Sequence, residues 1–226
     1  MILRTIDPAD MPAHRAEPLD DETVRGAASI VDDVRARGWE AVVEHAVRLG
    51  DAREGEPLVL KRDALEAAFL ALPEASRALL QRTAERIRSF ALSQRKALAE
   101  IAVPVAGGRA GHEVLPLDRA GCYAPGGRFP LPSSVLMTAV TARAAGVREV
   151  WVASPRPAPI TLGAAFVAGA DALLAVGGAQ AIGALAFGAG EVPACDAIVG
   201  PGNRWVTAAK QRVAGHVAID MLAGPS

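Results

Sequence analysis

Up to about residue 115, hydrophobic residues recur at the three- and four-residue spacing of amphipathic helices. From Asp21 to Leu49 the apolar positions keep this spacing and break near Gly38, which predicts two helices or one kinked helix. A second helical stretch runs from Asp63 to Leu72. It ends at Pro73, which suits the first turn of a third helix that continues to about Leu98.

After residue 115 the pattern becomes an alternation of short β-rich runs and helices. Five strands are predicted: Ala120–Ala124, Glu149–Ala153, Ala172–Val176, Cys195–Val199 and His216–Asp220. Even alternation implies right-handed βαβ units. The predicted fold class is therefore α/β: a parallel sheet with helices on both faces, incomplete and Rossmann-like, preceded by a helical N-terminal region. The predicted organisation is a mainly helical region over residues 1–115 and an α/β domain over residues 116–226.

Charge and cysteine content argue against several classes of protein. The 24 basic and 25 acidic side chains give a net charge of −1 with no dense basic run, so no nucleic-acid partner is expected. Cys122 and Cys195 make neither a disulfide framework nor a zinc site, and they fit a reducing, cytoplasmic setting. No signal-peptide pattern is evident, and no uninterrupted apolar run of about 18 residues predicts a membrane span.

Three loops that follow predicted strands are rich in glycine and proline. They are Tyr123–Gly127, Gly177–Gln180 and Gly200–Asn203. In open parallel sheets, ligands bind beyond the carboxyl ends of the strands, and glycine lets backbone amides approach an anion such as a pyrophosphate. These loops favour a nucleotide site, but α/β proteins need tight turns whatever they bind. The fingerprint G-x-G-x-x-G is absent, so a standard Rossmann site is not supported.

Five strings carry a more specific resemblance. They are Gly121–Gly127, Pro132–Thr138, Gly177–Ile182, Gly200–Asn203 and Ile219–Ser226. In this order and at this spacing they resemble the histidinol dehydrogenase family, and the helical N-terminal half is compatible with it. The resemblance implies an NAD-dependent oxidoreductase of histidine biosynthesis. Such an enzyme oxidises L-histidinol to L-histidine with two NAD, holds a zinc ion and forms homodimers.

The resemblance also assigns roles by position. Tyr123 is similar to the family residue that packs against NAD, Gln180 and Asn203 to its polar contacts, and Ser226 to a substrate-contacting serine. Each has a simpler interpretation. Tyr123 would be a buried tyrosine with a satisfied hydroxyl, Gln180 and Asn203 would be helix N-terminal caps, and Ser226 would be a disordered chain end.

The resemblance places the family's zinc ligands and its Glu-His pair for proton transfer after Ser226. No catalytic residue and no metal ligand is therefore assigned within the chain, and zinc is expected only in the full-length family. The sequence predicts a truncated histidinol dehydrogenase that is inactive alone. Two alternatives stay open: a non-catalytic nucleotide-binding or interaction module, and a related alcohol dehydrogenase with another small substrate. In the family, the chain after this point returns to complete the N-terminal domain. The apolar surface that it would cover is expected to be exposed here, which predicts a homo-oligomer.

Overall fold

The computed structural model describes residues 19–126 and 130–221 and shows an open sheet with helices packed on both faces. The sequence-predicted class is confirmed: an α/β fold with a mostly parallel sheet and a helical N-terminal region. Ser226, the predicted substrate contact, lies outside the described residues. Its role therefore stays a prediction.

The N-terminal region begins with two helices that meet at a glycine, α1 (Asp21–Arg37) and α2 (Trp39–Arg48). Asp20 caps α1, because its carboxylate accepts a hydrogen bond from the Thr23 amide at 2.8 Å. Gly38 has a φ of 60°, a left-handed conformation that favours glycine and ends the first helix. The predicted helix break near Gly38 is confirmed.

A strand that the sequence pattern did not predict follows these helices. It is β1 (Val59–Lys61), and it leads directly into α3 (Arg62–Leu70) and then α4 (Glu74–Lys96). Beyond α4, β2 (Ile101–Val105) and β3 (Gly108–His112) form an antiparallel hairpin whose residues are all exposed. The region before residue 115 is thus mainly helical, with one strand that joins the main sheet.

The remaining strands build the rest of that sheet: β4 (Arg119–Tyr123), β5 (Glu149–Ala153), β6 (Ala172–Leu174), β7 (Ala197–Val199) and β8 (Ala218–Ile219). The strand order is β1-β6-β5-β4-β7-β8. Strands β4 to β8 are parallel, whereas β1 pairs antiparallel with β6 at one edge, so the sheet is mixed rather than purely parallel. From β4 onward the order is that of a doubly wound nucleotide-binding fold, and the winding direction reverses between β4 and β7.

The helices that follow these strands cover both faces of the sheet, the earlier ones on one face and the later ones on the other. The segment after β4 is a continuous helix made of α5 (Pro132–Val135), a π-helical turn (Leu136–Val140) and α6 (Thr141–Ala144). The other helices are α7 (Pro159–Ala168), α8 (Gly178–Phe187) and α9 (Arg204–Val213). Helices α5, α6 and α7 cover one face with α3 and α4, while α8 and α9 cover the other with α1 and α2.

Each face of the sheet carries its own hydrophobic cluster. Side chains alternate along β4, so Cys122 lies in the cluster under α5 and α7, and Tyr123 lies in the cluster under α8. Helices from before residue 115 contribute to both clusters. The division of the chain into two domains at residue 115 stays a prediction. The alternation of side chains along β4 determines that the Tyr123 side chain lies on the same face of the sheet as α8.

Candidate functional site

A cavity of about 350 Å³ opens at the carboxyl ends of the parallel strands. Segments that follow four strands contribute to its wall: Pro125 and Gly126 after β4, Pro155 and Arg156 after β5, Gly177–Gln180 after β6, and Asn203 after β7. The side opposite these loops is formed by residues of α1 and of the segment that ends α2. The structure brings Tyr123, Gln180 and Asn203, the three residues predicted for the cofactor, to this one cavity.

Tyr123 places its hydroxyl at the start of α8. The hydroxyl oxygen accepts a hydrogen bond from the Gly178 amide at 3.1 Å, and the residue is buried. Burial raises the pKa of Tyr123 to about 12, and the nearby Asp51 carboxylate acts in the same direction. The hydroxyl therefore keeps its proton at neutral pH. That proton finds no acceptor among the described residues and is left for a ligand.

Gln180 is 1 % exposed and lies in the first turn of α8. Its Nε2 donates a hydrogen bond to Asp51 Oδ2 at 3.0 Å, whereas its Oε1 is buried and accepts none within the described part of the chain. A buried acceptor without a donor costs about 1–3 kcal/mol. Gly177 is the N-cap of α8, so Gln180 is not a cap. Gln180 Oε1 is therefore an acceptor that a ligand in the cavity can satisfy.

Asp51, which the sequence analysis did not single out, connects these groups. It follows α2, lines the cavity, and its Oδ2 accepts hydrogen bonds from the Gly177 amide at 2.9 Å and from Gln180. A carboxylate at the N-terminus of a helix is also favoured by the helix dipole. No sequence pattern could have indicated this contact, because Asp51 and Gln180 are 129 residues apart in the chain.

Asn203 immediately precedes α9 and is the N-cap of that helix. Its Oδ1 accepts hydrogen bonds from the amides of Trp205 at 3.0 Å and Val206 at 3.1 Å. The residue is exposed at the rim of the cavity. Its side-chain oxygen is occupied by the helix, so only the Nδ2 group is free to donate to a ligand.

The loop that carries Asn203 is bound by an ion pair between the buried Lys210 and the partly exposed Asp220. Lys210 Nζ donates to the Gly200 carbonyl at 3.0 Å and contacts the Asp220 carboxylate, which in turn accepts from the Gly200 amide at 2.8 Å. Burial acts to raise the pKa of Asp220, but the hydrogen bonds from Gly200 and Lys210 outweigh it and hold the pKa below its usual value. Sequence analysis missed this pair, whose members are ten residues apart.

Gly200 itself cannot be another residue without a change of structure. Its φ is 122°, and a Cβ there would lie 2.0 Å from the carbonyl oxygen of Tyr123. Backbone cannot yield as a flexible side chain can, so the loops after β4 and β7 approach each other closely only because this position lacks a side chain. This contact lies at the point where the sheet winding reverses.

The rim of the cavity is mostly cationic. Arg48 and Arg156 line it, against one carboxylate, Asp51, among the described lining residues. Arg156 is exposed and has a φ of 44°, an unusual value for a residue with a side chain. Arg48 donates to His45 Nδ1 at 2.9 Å, and His45 Nε2 contacts Asp33 at 2.8 Å. His45 is therefore a partnered, buried histidine, and the excess positive charge of the rim suits an anionic ligand.

Within residues 19–126 and 130–221, no group of three or more His, Cys, Asp or Glu side chains could hold a metal ion.

Cys122 and Cys195 are free and buried, and burial raises the pKa of each thiol to about 12. Neither is a thiolate nucleophile at neutral pH. Over the same described ranges, none of the helices has the combination of length and hydropathy that a membrane span requires.

Comparison with known proteins gives one consistent result. A family model described as histidinol dehydrogenase matches residues 13–226. The histidinol dehydrogenase of Chromobacterium violaceum is 46% identical over 219 residues, which cover 93% of this chain and 50% of that protein. That of Ralstonia nicotianae is 44% identical over 220 residues, with the same coverage of 93% and 50%.

A solved structure shares the fold as well. The crystal structure of histidinol dehydrogenase from Elizabethkingia anophelis superposes with a TM-score of 0.82 at 30% sequence identity, covering 95% of this chain and 50% of that one. The chain thus spans about half the length of the curated relatives and of the solved structure that it matches.

Proposed function

The chain belongs to the histidinol dehydrogenase family, and from this premise we propose that it forms the NAD-binding part of such an oxidoreductase. The reaction proposed for the whole enzyme is the oxidation of L-histidinol to L-histidine with two NAD, in histidine biosynthesis. The observation that carries the proposal is the cavity at the carboxyl edge of the sheet, where Tyr123, Gln180 and Asn203 meet.

The polar groups of the cavity are complementary to a dinucleotide. NAD offers ribose hydroxyls and a carboxamide as hydrogen-bond donors, and it offers diphosphate oxygens as acceptors. Gln180 Oε1 lacks a donor among the described residues, the Tyr123 hydroxyl keeps a proton to give, and the Asn203 amide can donate from the rim. Bound NAD would accept a hydride from the substrate. The role of these three side chains would be to bind and orient it.

The remaining assignments are proposals about the whole enzyme. Ser226 would contact the L-histidinol substrate, and the zinc ion would be held by residues of the full-length family, since no ligand in this chain is assigned to it. Residues 116–226 would form the NAD-binding domain, preceded by the helical region of residues 1–115. The two buried free thiols support a cytoplasmic setting.

Self-association is part of the same proposal. Several large apolar side chains near the hairpin are exposed: Phe90, Leu98, Ile101, Val103, Val105 and Leu115. Ile101, Val103 and Val105 alternate along β2 and so share one face of the hairpin, an apolar face that would suit a protein interface. A homo-oligomer would cover it.

The test is a calorimetric titration of the chain with NAD, in the wild type and in Tyr123→Phe. We expect saturable binding to the wild type. The variant loses both the acceptor for the Gly178 amide and the phenolic donor, so its affinity should fall about tenfold. Thr138→Val is the matched control, because it also removes a hydroxyl, one bonded to the Ser134 carbonyl at 2.8 Å on the opposite face of the sheet. Absence of binding to the wild type up to about 1 mM NAD would refute the proposal.

A further inference from the structure

The acidic residue of the cavity lining, Asp51, determines which atom of Gln180 faces a ligand. Asp51 Oδ2 lies 3.0 Å from Gln180 Nε2. The opposite orientation of the carboxamide would bring its oxygen against the carboxylate, two acceptors with no hydrogen between them. The amide nitrogen therefore faces Asp51, and Oε1 is left buried without a donor among the described residues. The cavity presents an acceptor at this point because of Asp51.

Asp51 also occupies a place where a phosphate would otherwise bind. The first amides of a helix readily bind anions. In α8 the Gly177 amide donates to Asp51 at 2.9 Å, and the Gly178 amide donates to the Tyr123 hydroxyl at 3.1 Å. Both amides are thus satisfied by side chains of the same chain. A phosphate at this point would have to displace these bonds and approach a carboxylate of the same charge.

The second oxygen of Asp51 adds another acceptor. Asp51 Oδ1 receives no hydrogen bond from the part of the chain that the structure describes, and the residue is half-buried in the lining. This wall of the cavity therefore combines two acceptors, Asp51 Oδ1 and Gln180 Oε1, with a single negative charge. Arg48 and Arg156 also line the cavity, and their positive charges would suit the diphosphate that NAD and NADP share. A vicinal diol supplies the two donors that such a wall needs, and a phosphate supplies none.

We propose that Asp51 is a positioning and specificity residue of the nucleotide cavity: it holds Gln180 and the start of α8 so that the cavity binds a ribose diol and rejects a ribose 2′-phosphate. This inference rests on the proposed NAD-binding function and extends it to the choice between NAD and NADP. A carboxylate that accepts from a ribose 2′-hydroxyl has this effect in other dinucleotide-binding folds. Here the carboxylate comes from the loop after α2 rather than from a strand of the sheet.

The experiment is a titration of the chain with NAD and with NADP, which differ only in the 2′-phosphate. For the wild type we expect NADP to bind at least about 30-fold more weakly than NAD, because like charges would face each other. Asp51→Asn keeps an oxygen for Gly177 and Gln180 but removes the charge. Its NADP-to-NAD ratio of dissociation constants should fall to about fivefold, while NAD affinity falls by less than about tenfold.

Asp51→Ala separates positioning from charge. It removes the acceptor as well, so Gln180 is no longer held, and NAD affinity should fall by more than about tenfold together with the loss of selectivity. A merely structural role would lower the affinity for both nucleotides equally and leave their ratio unchanged in both variants. Circular dichroism and thermal unfolding of each variant establish that it is folded before the ratio is measured.

Asp196→Asn is the matched control. Asp196 also accepts a backbone hydrogen bond, from the Arg119 amide at 2.8 Å, but at the opposite edge of the sheet, so neither affinity should change. A ratio that stays at the wild-type value in Asp51→Asn and Asp51→Ala, or a wild type that binds NADP as tightly as NAD, overturns this inference alone. Failure of the wild type to bind NAD overturns the proposed function, and this inference falls with it.

Discussion

The loops after β6 and β7 are built alike and differ in what they leave unsatisfied. Each contains glycine, follows a parallel strand and leads into a helix of ten residues. In the loop after β7, Asp220 and Lys210 bind both backbone polar groups of Gly200, and the Asn203 oxygen caps α9. In the loop after β6, Asp51 holds the backbone and the Gln180 amide but leaves Gln180 Oε1 buried without a donor among the described residues.

This difference distinguishes polar groups that support the fold from polar groups that would contact a ligand. A polar group whose hydrogen bonds are all made within the chain contributes to stability, and its removal is expected to appear mainly in the free energy of unfolding. A buried acceptor held in place without a donor lowers stability rather than adding to it, and a ligand donor would relieve that cost. We therefore expect substitutions in the loop after β7 to change stability most, and substitutions in the loop after β6 to change NAD affinity most.

The largest effect on stability is expected for Lys210→Met. Lys210 is 1 % exposed, and its loss leaves Asp220 without its cationic partner and the Gly200 carbonyl without a donor. Because Asp220 is partly exposed, we expect the lower end of the range for a broken buried ion pair, about 3 kcal/mol in the free energy of unfolding. Urea denaturation monitored by circular dichroism measures it.

Lys61→Met is the control for that substitution, since Lys61 pairs with Glu191 at the surface and its loss should cost less than about 1 kcal/mol. The pH dependence of the free energy of unfolding shows whether the loss in Lys210→Met comes from the ion pair with Asp220. The pKa of Asp220 is lowered in the folded state, so the pair stabilises the protein above the ordinary value of 3.8 and is lost as pH falls through the lowered pKa. The difference between wild type and Lys210→Met should shrink in that window. A difference that is constant with pH would contradict the account.

A smaller effect is expected for Asn203→Ala, which removes the cap of α9. The loss should be about 1 kcal/mol in the free energy of unfolding, as for other N-caps. Asn203→Asp keeps the capping oxygen and replaces the amide donor, so it should retain stability and lose only NAD affinity. Urea denaturation and NAD titration of both variants separate the two roles. Equal loss of stability in both variants would argue against the cap.

The sequence predicted the general fold and the edge of the sheet at which the three candidate residues meet, because both depend on local patterns. Short apolar runs between glycine-rich turns predict parallel strands, and residues that follow such strands meet at one edge, so Tyr123, Gln180 and Asn203 could be placed together. The strand β1 has only three residues, too few for a visible alternation. The sequence could not identify Asp51, Lys210 and Asp220. Their contacts depend on tertiary packing, and in the sequence these residues look like ordinary surface charges. The predicted strand from His216 to Asp220 is shorter in the structure, Ala218–Ile219.

The most direct test of the central claim is a paired measurement on Gln180→Leu: its dissociation constant for NAD and its free energy of unfolding. The substitution removes one hydrogen bond to Asp51 and a buried acceptor that has no donor in the part of the chain that the structure describes, so we expect stability to change by less than about 1 kcal/mol. NAD affinity should fall at least about tenfold, and Gln211→Leu on the exposed side of α9 should change neither quantity. Unchanged NAD affinity, or a loss of affinity that only follows a loss of stability, would contradict the account.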